Sequence, residues 1–161
     1  MIGASAQGVR LSQSKLRYYV QDFSYSLLSF VRGKEMWRMT GAKEIEEIGE
    51  MKKDNRRLFV RILTLLKRLL HGEEKNEKLF LIIENFSRYL GGREMDKEGR
   101  ELVEYVTVLR ILDCLGYISN KNAFSSILSG SVLNEGILNE VKLLKASIIV
   151  AINNGLKESQ L

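Results

Sequence analysis

The sequence predicts an α+β fold in which a short β segment at the N-terminus is followed by an all-helical domain. Two observations lead to this prediction. Near residue 44 the spacing of apolar residues changes from a strand pattern to a helical one, and almost the same point ends a stretch with a large excess of positive charge. We therefore place a β domain at residues 1–43 and a helical domain at residues 44–161.

A β-hairpin is predicted over residues 18–42. Its first part, residues 18–31, is rich in aromatic and β-branched side chains, which favour strands. The next four residues have the composition of a turn, and residues 36–42 return to a strand pattern. The loop of this hairpin is expected to carry Arg32 and Lys34.

The rest of the β domain is less strongly patterned. Residues 2–8 are compatible with one more strand, whereas residues 9–17 are polar and basic and are expected to form a mobile loop. Adjacent residues of a strand point to opposite faces, so only one of Tyr18 and Tyr19 can point inward. Trp37 fits either the core or the surface.

Helices are predicted from about residue 44 onward, because apolar residues recur at steps of three and four. Three of these helices are expected to end at glycines, which commonly follow a helix C-terminus: Gly72, Gly91 and Gly116. The second should begin near Asn76. A short helical piece is expected around Phe124, and the last helix should be continuous from Leu138 to Ile152 and fray past Asn153.

The composition argues against an enzyme and against a metal site. The chain contains one cysteine and one histidine, Cys114 and His71, too few soft ligands for structural zinc. It contains no phosphate-binding loop, no dinucleotide fingerprint and no nucleophile paired with a base. We therefore predict no catalytic residues, no metal and no cofactor, and we expect Cys114 to be a buried structural thiol.

Nothing in the sequence indicates a membrane protein or a secreted one. The longest apolar runs are far shorter than the roughly 18 residues of a membrane-spanning helix, and the first residues lack the pattern of a secretory signal. We expect a cytoplasmic protein.

The charge distribution indicates a polyanionic partner. The chain has a net charge of +5; residues 1–43 hold seven basic and two acidic side chains, while residues 44–161 hold 18 of each sign. Basic side chains beside exposed aromatic rings are the two components of a single-strand-binding surface. The predicted nucleic-acid-binding residues are Arg10, Lys15, Arg17, Tyr18, Arg32, Lys34 and Arg38.

Three stretches of the sequence resemble, in order, those of the RecO family. Residues 8–40 contain GVRLSQSKLR, VQDFS, VRGK and WRMT, which are similar to the later strands of the N-terminal OB-fold domain of that family. Residues 66–80, LKRLLHGEEKNEKLF, look like its first helix and the start of its second. Residues 109–117, LRILDCLGY, are similar to its stretch ending in Leu-Gly-Tyr.

The resemblance implies a partial OB-fold-like β segment followed by a helical domain of the RecO type. It also implies a mediator of recombination in DNA repair, which binds single- and double-stranded DNA and anneals complementary strands. With RecR and the single-strand-binding protein as partners, such a mediator loads the RecA recombinase. The basic positions would touch phosphates, and the helical domain would take a partner's peptide tail.

The chain departs from the family in two respects. Met1 falls near the middle of the usual barrel, so the domain is N-terminally shortened, and three strands cannot close a five-stranded barrel. The true start then lies upstream, or the domain is reduced, or another chain completes the sheet. The four-cysteine zinc site of some relatives is also missing, since Cys114 stands alone.

Two other functions are compatible with the same residues. The chain could be a helical protein-interaction adaptor with no nucleic-acid binding of its own, which recruits a partner by strand addition. It could also be an RNA-binding regulator, since no feature of the sequence reports on the 2′-hydroxyl.

Overall fold

The computed structural model of the chain describes residues 25–34, 37–46, 51–70, 75–130 and 132–160. These residues belong to two compact units, Gly3–Gly49 and Glu50–Leu161. The described part of the first unit is a two-stranded antiparallel sheet, and that of the second is helical. The α+β class is confirmed.

The first unit contains the predicted hairpin, built from strands β1 (Tyr25–Arg32) and β2 (Trp37–Glu46). The predicted loop position of Arg32 was wrong, because Arg32 is the last residue of β1 and pairs with Trp37. β2 continues to Glu46, past the predicted domain boundary, because its last residues still pair with β1.

The described part of the second unit contains six α-helices. They are α1 (Lys53–Leu69), α2 (Glu77–Leu90), α3 (Lys97–Cys114), α4 (Ser125–Leu128), α5 (Glu135–Leu143) and α6 (Lys145–Glu158), and a 3₁₀ turn at Lys121–Phe124 precedes α4. The predicted start of α2 is confirmed, since the Asn76 side chain accepts a hydrogen bond from the Leu79 amide at 2.9 Å. Gly116 follows α3 with φ +87°, as a C-terminal glycine does.

The prediction for the last helix was wrong in two ways. The predicted single helix is in fact two helices, α5 and α6, which are separated at Leu144, where the backbone has φ −97° and ψ 10°. The helix also does not fray past Asn153, because α6 continues to Glu158. Gly155 accounts for the ordered end: it packs so closely that a Cβ there would lie 2.9 Å from the carbonyl oxygen of Tyr117.

Helix α3 occupies the centre of the helical unit. It packs against α1, α2, α4, α5 and α6, and its apolar side chains Val103, Val106, Leu109 and Leu112 are fully buried. Between α1 and α2, the rings of Phe59 and Phe86 stack with centroids 5.7 Å apart. The elements of the helical unit are therefore arranged around one buried helix.

Two charged side chains of α3 are also buried. The Arg110 guanidinium donates hydrogen bonds from Nε to the Ile127 carbonyl at 2.8 Å and from Nη1 to the Val132 carbonyl at 3.2 Å. Burial lowers the pKa of Arg110 to about 10, so the side chain is still charged at neutral pH. Arg110 thus holds α4 and the segment after it against α3.

Asp113 connects α3 to two other elements. Its carboxylate lies 3.0 Å from the Lys78 ammonium of α2 and 2.8 Å from that of Lys121 in the 3₁₀ turn. Burial alone would raise the pKa of Asp113, but the hydrogen bonds from the two lysines outweigh it and lower the pKa.

The prediction that Cys114 is buried was wrong, because the side chain is only half-buried. It lies at the end of α3, where its Sγ contacts Asn76 Oδ1 at 3.4 Å.

The Asp113→Asn variant is expected to be less stable at neutral pH by about 1–3 kcal/mol, because a buried carboxylate that accepts two charge-assisted hydrogen bonds is lost. A carboxyl group with a lowered folded-state pKa contributes stability above its unfolded pKa of 3.8, and this contribution is lost as the pH falls through the folded value. Urea unfolding from neutral pH to below 3.8 measures the difference. A constant difference at all pH values would contradict the proposed role, and the exposed-site variant Glu158→Gln is the control.

Candidate nucleic-acid interface

At the end of the hairpin where β1 leads into β2, a cation lies beside an aromatic ring. Arg32 and Trp37 are directly opposed across the two strands, and the guanidinium carbon of Arg32 lies 5.9 Å from the centroid of the Trp37 ring, within the range of a cation–π contact. Trp37 is 48% exposed. The structure therefore places this ring, which the sequence left open between core and surface, at the surface.

The other face of the hairpin is also basic, but its cations lie beside exposed aliphatic side chains and not beside an aromatic ring. Arg38 is opposite Val31 and Lys43 is opposite Leu27, and directly opposed side chains share a face. Both cations are exposed. Leu27 and Val31 are exposed as well, at 60% and 57%. This face therefore combines two positive charges with two exposed apolar side chains.

Three of the predicted site residues lie close together in the chain at this end of the hairpin. Lys34 is exposed in the segment after β1, and Arg32 and Arg38 flank it on the two strands. Since Arg38 follows Trp37 directly, the pleat directs Arg32 and Arg38 to opposite faces. The other four residues of the predicted site lie outside the described residues: Arg10, Lys15, Arg17 and Tyr18.

An irregularity in β2 affects the register of the hairpin. Phe30 is opposite Met39 but Ser29 is opposite Gly41, so Thr40 is an extra residue, and its hydroxyl donates to the Ser29 carbonyl at 3.3 Å. Such a bulge reverses the alternation of faces for the residues that follow it, here up to the second register shift near the end of β2. A glycine inside a strand pattern, here Gly41, is the sequence signal that could have indicated it.

The helical unit has a groove of a different kind. It has a volume of about 490 Å³ and lies between α6 and the segment that follows α3. No charged side chain lines it, and its apolar wall includes Ile118, Phe124 and Val150. Because it lacks cations, this groove does not match the chemistry of a phosphate-binding site.

The remaining observations add no other site. Within the described ranges, no group of three or more His, Cys, Asp or Glu side chains could hold a metal ion. Of the helices described above, none has the length and apolar character needed to cross a bilayer. Comparisons of the chain with protein-family models, with curated proteins and with solved structures gave no match.

Trp37 is the only tryptophan of the chain, so its fluorescence reports on the hairpin alone. Because the ring is about half exposed, we expect an emission maximum close to that of tryptophan in water and efficient quenching by acrylamide. The same measurement in denaturant is the control. A blue-shifted and poorly quenched emission would show that Trp37 is buried, and would contradict its place in the candidate interface.

Proposed function

We propose that the chain is a non-enzymatic DNA-binding protein that uses the end of its hairpin where β1 leads into β2, and that it acts as a mediator of recombination in DNA repair. The observation that carries the proposal is the Arg32–Trp37 pair, an exposed aromatic ring held beside a cation. The mediator role, with strand annealing and recombinase loading together with RecR and the single-strand-binding protein, rests on the resemblance of the sequence to the RecO family.

In this proposal, a single strand of DNA passes around the end of the hairpin. A base stacks on Trp37, while Arg32 and Lys34 neutralise the neighbouring phosphates. Since Arg32 and Arg38 lie on opposite faces, a strand that runs along one face meets only one of them. A strand that bends around the end, where Lys34 is exposed, reaches all three.

We further propose that the hairpin is part of an OB-fold-like segment whose other strands come from elsewhere in the chain or from a partner. A two-stranded sheet has two edges able to pair with further strands. RecO-type mediators are bacterial, and bacterial chromosomal DNA lies in the cytoplasm, so the proposed location is the cytoplasm.

A protein-interaction adaptor is a second candidate function. The observation in its favour is the exposure of Leu27 and Val31 on one face of the hairpin, since neighbouring exposed apolar side chains often mark a contact with another protein. An adaptor would bind its partner through this face and would show no salt-dependent affinity for nucleic acid.

The test is a titration of a fluorescently labelled single-stranded DNA, followed by anisotropy at about 50 and 200 mM salt. Replacing Arg32, Lys34 and Arg38 by glutamine should weaken binding about tenfold or more and reduce the salt slope by about 2, since each phosphate contact on a single strand contributes about 0.7. The control is Lys97→Gln, Lys142→Gln and Lys157→Gln, which removes the same charge from exposed sites of the helical unit.

Stacking is tested separately with Trp37→Ala, which should cost about 1–3 kcal/mol of binding free energy for the base that stacks on the ring. Trp37→Phe should retain most of the affinity, and an abasic strand should leave the Trp37 fluorescence unchanged. Absence of binding by the folded, intact chain would overturn the proposal and favour the adaptor. If a matched RNA binds more tightly than the DNA, the result would favour an RNA-binding regulator over a DNA-binding mediator.

A further inference from the structure

We infer that the exposed face of α1 is a second phosphate-binding surface, which contacts the backbone of nucleic acid independently of the hairpin. The inference rests on the proposed function for the nature of the ligand, but it concerns a different unit of the chain. Six basic side chains of α1 are exposed, and the helix has a single acidic residue, Asp54. The six are Lys53, Arg56, Arg57, Arg61, Lys67 and Arg68.

The exposed cations of α1 repel one another and therefore destabilise the helix. Lys53 and Arg57, and Arg57 and Arg61, are four residues apart, and like charges at this spacing destabilise a helix. Lys53 also lies in the first turn, where the helix dipole disfavours a cation. On α2, by contrast, Arg88 is paired with Glu84 four residues before it, at 3.0 Å.

Some cations of α1 already have structural partners. Arg57 pairs with Asp54 at 3.3 Å, and Arg61 pairs with Glu104 of α3. Lys53, Lys67 and Arg68 form no ion pair with any residue that the structure describes. Lys67 and Arg68 do complement the helix dipole at the last turn, but this interaction leaves their ammonium and guanidinium groups exposed.

The spacing of these three cations fits a nucleic-acid backbone. Lys53 and Lys67 are fourteen positions apart, about 21 Å along a helix that rises about 1.5 Å per residue. This distance corresponds to about six steps of a strand with one phosphate per roughly 3.4 Å along the duplex axis. The two ends of α1 can therefore meet separate phosphates of the same molecule.

A lipid surface fits α1 less well. An amphipathic helix binds a membrane by inserting its apolar face among the lipids. The apolar face of α1, which includes Leu58, Ile62 and Leu66, is buried within the helical unit. The charges of α1 are thus presented on a helix that has no apolar face left to insert.

The test compares three variants of the intact chain in binding to a labelled duplex, with salt varied from about 50 to 200 mM. They are the α1 variant, a charge-matched control, and the hairpin variant in which Arg32, Lys34 and Arg38 are replaced by glutamine. The α1 variant carries Lys53→Gln, Lys67→Gln and Arg68→Gln; glutamine has a high helix propensity, so the helix should be retained. We expect binding about tenfold weaker or more, and a salt slope smaller by about 2.7, since each duplex phosphate contact contributes about 0.9. The control is the Lys97, Lys142 and Lys157 variant.

The outcomes separate this inference from the proposed function. If the hairpin variant loses affinity and the α1 variant behaves like the charge-matched control, the inference fails and the hairpin site stands. If the α1 variant alone loses affinity and salt slope, the inference stands and the hairpin site fails. Binding of the intact chain to vesicles containing phosphatidylserine, but not to the duplex, would overturn the inference.

Discussion

The arrangement of the helical unit depends on two oppositely charged side chains buried on the central helix. Arg110 and Asp113 are one turn apart on α3 and are only 3% and 6% exposed, yet they have different partners. Arg110 donates to carbonyls in α4 and after it, whereas Asp113 accepts from Lys78 and Lys121. Burying a charge is costly unless it is paired or hydrogen-bonded, so these contacts constrain the positions of α2, the 3₁₀ turn, α4 and the segment after α4 relative to α3. α1 is not among these partners; its own apolar residues, which include Leu58, Ile62 and Leu66, are buried, so its charges face outward.

Much of the helical unit could be predicted because the relevant signals are local. Asn76 and Gly116 mark helix ends through hydrogen bonding and backbone geometry, which act within a few residues. The division between α5 and α6 could not be predicted, because the apolar pattern runs without interruption through Leu144. The ordered end of α6 depends on the close approach of Gly155 to Tyr117, a contact between distant parts of the chain that periodicity does not contain.

The hairpin illustrates the same limit at the candidate site. Composition was enough to predict two strands and a basic end, but not which side chains share a face. That depends on the strand register, and the extra residue Thr40 changes the register within β2. The observed pairing separates Arg32 from Arg38 and brings Arg32 to Trp37. The positions of the basic residues on the two faces are therefore known only once the pairing of β1 with β2 is known. This pairing is the reason for proposing that a DNA strand bends around the end of the hairpin.

The electrostatics of the helical unit show why a net charge is a poor guide to a binding surface. Residues 44–161 sum to zero, although α1 presents six cations beside one carboxylate. The compensating carboxylates lie largely elsewhere: on α3, Glu98 and Glu101 pair with Lys142 and Lys145. Glu104 holds Arg61; burial raises the pKa of this glutamate, and the guanidinium opposes that effect. The fold thus uses Arg61 for its own stability and leaves both ends of α1 positive. Because a polyanion responds to local charge at distances of about 10 Å or less, we expect the exposed cations of α1 to act on it as a basic surface, even though residues 44–161 together have no net charge.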